Sequence, residues 1–454
     1  MAIRSINPTT GEMLKEFEPF SESELNKRLE ISNDAFKEWG TISLDERAKH
    51  MFSIAKKLHE NVDEYAELLT TEMGKTFEQA KAEVEKSALN FEHYGEHSAS
   101  YLCDRKINTD GSESFVTYEP LGVILTIMPW NFAFWQALRM AAPILMAGNT
   151  VLLKHASNVP QAALLMEKIM LDAGMPEGVF QTLLIETSMV KTIIENDYIK
   201  GVSLTGSEKA GSIVGAQAGK EIKPVVLELG GSDPSIILED CDLESTCETI
   251  AKSRLQNNGQ SCIGSKRFIV LDAIYDEFLK QIKSVFESYI VGDPMDPKTM
   301  IGPIVSEDAL NELLDQIKRS VDTGAKILTG GKRIDREGYF MEPTILIDVT
   351  ENVPSYSEEL FGPVVSIIRV KDDDEAISVA NDTRFGLGAS IYTKDIKRAK
   401  TLVPRIEAGC VFINGLVKSD PRMPFGGIKR SGIGRELSEE GIREFTNIKS
   451  VWIK

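Results

Sequence analysis

The chain is poor in the residues and patterns that mark several large protein classes. Cysteine occurs five times in 454 residues (Cys103, Cys241, Cys247, Cys262, Cys410), an odd and sparse set with no CxxC pair. That excludes a disulfide scaffold, a zinc ribbon and a dithiol redox motif, and each thiol is expected to be free. Histidine also occurs five times, never after His155. Only His93 and His97 stand four apart on an expected helix, and no acid completes an HExxH pattern there. The pair reads as a solvated helix face, and no metal is expected.

Long apolar runs are missing as well. No window approaches ~18 uninterrupted apolar residues, so no membrane span is expected. Residues 1–8 have no apolar stretch behind a basic start, which leaves the cytoplasm as the expected compartment. Basic runs are absent too: 51 Lys and Arg stand against 69 Asp and Glu, for a formal charge of −18, and the cations are scattered. A chain of this kind has nothing to follow a phosphate backbone, so nucleic acid is excluded as a partner. Neither GxGxxG nor a complete Walker loop occurs, because Gly215 to Lys220 is one residue short of the latter.

What remains is an ordinary globular composition, 42% apolar and 26% charged. At roughly 150 residues per domain the length allows two or three domains. Segments 23–39, 43–60 and 62–100 space apolar residues at three and four and predict amphipathic helices. From residue 115 short apolar runs alternate with helical stretches. Strands are expected at 122–128, 150–154, 179–185, 201–205 and 224–229, with helices at 132–147, 160–173, 187–196 and 207–219 between them. Such alternation predicts a doubly wound parallel sheet of the kind that binds a dinucleotide.

A second series, near 235–238, 266–271, 325–329, 363–370, 388–392 and 410–413, predicts a second α/β domain. The expected division is therefore a dinucleotide-binding domain (1–100 and 121–228), a catalytic domain (229–430) and a small β projection (101–120 and 431–454). An exposed β projection is best explained by another subunit, hence a homodimer or homotetramer.

Several residues in this frame can carry chemistry, and each also has a structural reading. Cys262 lies in a glycine-flanked loop, Asn258-Gly259-Gln260-Ser261-Cys262-Ile263-Gly264, and is either a nucleophile or an inert thiol. No histidine is at hand as its base. Glu228 ends the fifth strand in the crevice where ligands bind such sheets, and is either a carboxylate base of raised pKa or a salt-bridged structural acid. Asn131, in Pro129-Trp130-Asn131-Phe132, is either an oxyanion donor or a helix cap.

Arg139 follows eight residues later on a helix of Phe, Trp, Leu, Met and Ala, and must reach water or meet an anion, a ligand's or a structural carboxylate. Lys154 ends the second strand, beside the same crevice. Gly206 and Ser207 stand where a helix N-terminus suits a phosphate, though Ser is also simply a good cap. Glu359-Leu360-Phe361-Gly362-Pro363 and Pro424-Phe425-Gly426-Gly427 are turn-rich segments able to close over a site.

In this order, and with Ser431-Gly432-Ile433-Gly434-Arg435-Glu436 after the last of them, these segments resemble the aldehyde dehydrogenase superfamily over essentially the whole chain. The resemblance implies that fold: two doubly wound α/β domains, one Rossmann-like for the cofactor and one catalytic, plus a small oligomerisation projection. It implies Cys262 as nucleophile, Glu228 as the base for the hydrolytic water, and Asn131 with the Cys262 N–H as oxyanion hole. Trp130, Lys154, Ser157, Gly206, Ser207, Leu229, Glu359 and Phe361 are implied to hold a nicotinamide cofactor. The implied reaction is attack on an aldehyde, hydride transfer, and hydrolysis of a thioester, for which the base argues against transfer to coenzyme A.

Within the superfamily the chain is most similar to succinate-semialdehyde dehydrogenases, where an arginine at the place of Arg139 binds the far carboxylate of the substrate. A second arginine, six residues before the nucleophile in several such enzymes, is here Gln256, with Arg254 two residues further back. Many NAD-using members carry Glu where this chain has Ser157. A serine beside Lys154 leaves room and positive charge for a 2′-phosphate, so NADP is the expected cofactor, with NAD possible.

Overall fold

The structure, a computed structural model, describes residues 3–454. The amphipathic N-terminal segments form helices Glu22–Trp39, Leu44–Glu60, Val62–Met73 and Phe77–Tyr101. Ser21 with Glu24 and Ser43 with Glu46 close capping boxes at the first two, satisfying N–H groups that the first turn leaves open. The expected single helix over 62–100 is broken at Gly74, which adopts φ 88°. A Cβ at that position would also lie 2.8 Å from the rings of both Pro8 and Pro303, so only glycine closes this helix here.

The expected doubly wound sheet is present. In spatial order its strands are Gly432–Ile433, Val225–Glu228, Ile199–Thr205, Val123–Met128, Thr150–His155 and Phe180–Thr182. All neighbours run parallel except Gly432–Ile433. The first strand in sequence sits in the middle, with its successors added outward on both sides. The winding therefore reverses between Val123–Met128 and Ile199–Thr205, and a crevice opens at their carboxyl ends. Helix Ala133–Met146, which follows the central strand, has all of its residues buried.

The second sheet is ordered Lys326–Thr329, Thr344–Ile347, Val364–Val370, Arg267–Leu271, Pro234–Ile237, Gly388–Tyr392 and Cys410–Ile413. Thr344–Ile347 was not expected from the sequence. It is only four residues long, and its register comes from pairing with Val364–Ser366.

The projection pairs Glu113–Pro120 with Thr446–Ile453 along their full length, and Arg105–Lys106 adds a short third strand. Its boundary differs from the expected 431–454. Gly432–Ile433 instead covers the open edge of Leu227–Glu228, and helix Ser438–Arg443 packs on helices Phe77–Tyr101 and Ala133–Met146. An unforeseen hairpin, Ile3–Ile6 with Met13–Phe17, lies beside the cofactor sheet, where the Arg4 N–H donates to the Ser157 carbonyl at 3.0 Å. Among the described residues no helix is long and apolar enough to cross a membrane.

Candidate active site

The loop bearing Cys262 is built on strained backbone. After helix Leu243–Leu255 the chain passes through two consecutive left-handed residues, Asn257 (φ 54°, ψ 36°) and Asn258 (φ 57°, ψ 28°), and then Gly259 at φ 74°. Two non-glycine residues in this region persist only where their surroundings over-determine them. Here they do. The Asn258 amide donates to the carbonyls of Gly74 (2.8 Å) and Pro303 (2.9 Å), and its oxygen accepts from Gly302 N (2.7 Å). Buried Arg254 donates to the carbonyls of Gly259 and Gly264, and buried Lys266 donates to those of Ser261 (2.8 Å) and Cys262 (2.7 Å). Arg254 is thus a brace of the loop and does not stand in for a substrate arginine.

Asn131 is tied to this loop from the other sheet. Its amide donates to the Gln260 carbonyl at 3.0 Å, while its own carbonyl accepts from Asn257 (2.7 Å) and from the buried Lys75 ammonium (2.9 Å). Lys75 is ion-paired with Glu83, whose other oxygen accepts from the N–H groups of Phe134 (2.8 Å) and Trp135 (3.0 Å) in the first turn of the next helix. Sequence reasoning missed Lys75, Glu83, Asn257 and Lys266. Glu83 had left a trace, since it shares the apolar face of its helix with Ala80, Val84 and Ser87.

Glu228 ends its strand fully buried, with neither carboxylate oxygen hydrogen-bonded, so it is not the salt-bridged structural acid of the alternative reading. Burial, and secondarily the neighbouring Glu436, push its pKa well above the usual carboxylate range, against the pull of Arg139 and Arg435. Room for the side chain exists because residue 426 is glycine: a Cβ there would stand 2.6 Å from Glu228 Oε1. Burial likewise pushes the Cys262 thiol up to about 12, opposed first by Lys266 and then by Arg139. The thiol must therefore surrender its proton to a base before it can attack.

A cleft of about 1660 Å³ runs along the crevice, and Trp130, Asn131, Ser157, Gly206, Ser207, Leu229, Cys262, Glu359 and Phe361 all line it. Gln136, which the sequence reading did not single out, lines it as well. Ser207 caps helix Glu208–Lys220 by accepting from Ala210 N (3.2 Å), and the Gly206 N–H is engaged by the Glu228 carbonyl (2.9 Å). Glu208 and Lys209, whose N–H groups belong to the open first turn of this helix, lie on the cleft wall.

Glu359 accepts from Gly231 N (3.1 Å) and meets Lys266 at 3.3 Å, while Phe361 and Trp130 contact edge to face with centroids 5.7 Å apart. Lys154, by contrast, is buried behind the wall and donates to the His155 carbonyl at 2.9 Å. A narrow anionic chain with adjacent rings and hydroxyls fits this cleft.

Arg139 does not line the cleft. It pairs with buried Glu436, so the structural carboxylate that one reading allowed for is present, yet its Nε–H is buried without an acceptor. His93 also departs from expectation: it is buried and bonded to the Tyr101 hydroxyl (3.1 Å), and burial lowers its pKa to about 4.

Comparison with known proteins places the chain in a family. Residues 1–451 match the model of the aldehyde dehydrogenase family. The chain belongs to the aldehyde dehydrogenase family. It is 48% identical over 453 residues, covering both chains completely, to a Synechocystis protein named as a probable NADP-dependent succinate-semialdehyde dehydrogenase. It is 46% identical, again over both complete chains, to succinate-semialdehyde dehydrogenase [NADP(+)] 1 of Mycobacterium tuberculosis. The crystal structure of succinic semialdehyde dehydrogenase from Streptococcus pyogenes with NADP+ superposes over the full length of both chains at TM-score 0.98 and 40% identity. The expected fold is thus the observed one.

Proposed function

We propose that this aldehyde dehydrogenase oxidises succinate semialdehyde to succinate with NADP as electron acceptor. The observation that carries the reading is a cofactor-sized cleft lined by both Cys262 and Asn131, with Leu229 and Gly230, which directly follow the buried and unbonded Glu228, on its wall. The names of full-length relatives at 46–48% identity support the substrate and the cofactor.

Cys262, on the wall of the open cleft, gives its thiol proton to water there and attacks the aldehyde carbon, and the oxygen that becomes anionic is met by the Asn131 amide and the Cys262 N–H. NADP held in the cleft would supply the hydride acceptor needed to bring the thiohemiacetal on Cys262 to the thioester level. Glu228 then takes a proton from the water that releases the acid; its burial gives the carboxylate the proton affinity such a base needs. Trp130, Ser157, Gly206, Ser207, Leu229, Glu359 and Phe361, all on the cleft wall, are the residues we assign to the nucleotide. Arg139, through its unpaired Nε–H, is assigned to the distal carboxylate.

We further infer that exposed Ile448, Trp452 and Ile453 on the β projection meet a second copy of the chain. Five free cysteines, one of them needed as a thiol, suit the reducing cytoplasm.

The test is NADPH formation from succinate semialdehyde, with and without coenzyme A, by the wild type and by Cys262→Ala. Turnover that needs no coenzyme A and vanishes in the variant is expected. Retained turnover without the thiol would remove the mechanism.

A further inference from the structure

Aromatic residues pack around the nucleophile: Phe132, Trp135 and Phe425 cluster with Cys262, Ile263, Leu387 and Leu437. One side of that cluster is flanked by two cations. The Arg139 guanidinium lies 5.0 Å from the Phe425 ring and 5.9 Å from the Trp135 ring. The Lys86 ammonium lies 4.1 Å from the Trp135 ring centre and donates to Ser419 Oγ at 2.9 Å. The Trp135 indole N–H donates to the same Oγ at 3.0 Å. With two donors pointing at it, the Ser419 hydroxyl has its own proton left to offer.

The two cations differ in how their charge is met. Arg139 has Glu436. Lys86 forms no ion pair among the described residues, although its side chain is half-buried. The charged groups that face it are Glu83 on its own helix, Arg139 on helix Ala133–Met146, and Asp420 and Lys418 from the loop beyond Cys410–Ile413. Glu83 is engaged by Lys75, and Asp420 is held by Arg422. A positive charge next to the nucleophile's aromatic cluster is thus left without a counter-charge, which is costly unless an anion arrives.

We propose that Lys86 is a specificity-determining ligand of the substrate's distal carboxylate, binding it together with Arg139. This rests on the reading that the substrate is an aldehyde with a far carboxylate. Burial, followed by repulsion from Arg139, lowers the Lys86 pKa to about 7, and the negative charge of a bound carboxylate would raise it. Lys86 is therefore charged below neutral pH and loses its proton as the pH rises.

The experiment measures kcat and KM for succinate semialdehyde and for butanal, a neutral aldehyde of equal chain length, in wild type, Lys86→Met and Lys86→Arg from neutral to alkaline pH. A charge-assisted hydrogen bond predicts a fall of roughly ten- to a hundredfold in kcat/KM for succinate semialdehyde in Lys86→Met, carried mainly by KM. Butanal should be nearly unaffected, and Lys86→Arg should restore most of the loss. In the wild type the ratio of the two kcat/KM values should fall as pH rises past about 7, and in Lys86→Met it should be flat. Equal losses for both aldehydes, or no loss for either, would overturn the role of Lys86 while leaving the substrate reading in place. A wild type that does not prefer succinate semialdehyde over butanal would overturn both.

Discussion

Replacing Glu83 by Gln probes a buried ion pair that supports Asn131, the oxyanion donor proposed above. Lys75 and Glu83 are both buried. Beyond pairing with Lys75, Glu83 accepts from Phe134 N and Trp135 N, and Lys75 also donates to the Asn131 carbonyl and sits 4.4 Å from the Phe132 ring centre. Gln keeps an oxygen for the two N–H groups but turns its amide hydrogens towards an ammonium that has lost its counter-charge. Breaking a buried pair from one side costs about 3–5 kcal/mol, against about 0–1 for an exposed pair.

Lys75→Met should cost less, because the Glu83 carboxylate that remains still has two N–H donors at a helix N-terminus. The double variant should be more stable than Glu83→Gln alone, since no unpaired charge is left. Urea midpoints at one protein concentration for all four proteins give the coupling energy directly. The same variants should show a lower kcat with unchanged KM for NADP, as the Asn131 amide drifts from the position that stabilises the oxyanion. Glu83→Gln within about 1 kcal/mol of wild type, a cost no larger than an exposed pair's, would refute the reasoning, and so would a double variant showing the simple sum of the single costs.

Two further outcomes are expected. Ser157→Glu should shift preference from NADP towards NAD, because each pair of unit charges at ~4 Å repels by about 4 kcal/mol at an effective dielectric near ~20; kcat/KM for each nucleotide checks this, and equal loss of both would remove Ser157 as the selector. Glu228→Gln should give a rapid burst of NADPH followed by slow turnover, since the thioester forms but water is no longer activated, whereas unchanged multiple turnover would take Glu228 out of its role.

Short apolar runs alternating with helices over 122–229 and again from 235 were enough to foresee two wound sheets, because strand and helix periods are local properties of the chain. The same local logic put Asn131, Gly206 and Glu228 at strand ends, where such a sheet opens its crevice. It also explains what was missed. Thr344–Ile347 and the hairpin Ile3–Ile6 with Met13–Phe17 are too short to show a period, and acquire their identity from the strands beside them. Gly432–Ile433, assigned on sequence to the projection, is a strand of the cofactor sheet instead, because the edge of Val225–Glu228 needs partners.

For the site, the sequence by itself determined which atoms are available for chemistry: one thiol on a glycine-flanked loop, one acid at an apolar strand end, one amide after the central strand. Only the tertiary structure decided which charges meet. Lys75 with Glu83, Arg139 with Glu436 and Lys86 with Ser419 are pairings between residues up to 333 positions apart. A buried charge accepts whatever counter-group packing delivers within hydrogen-bonding reach, and that choice is made by the assembled core, not by neighbours along the chain.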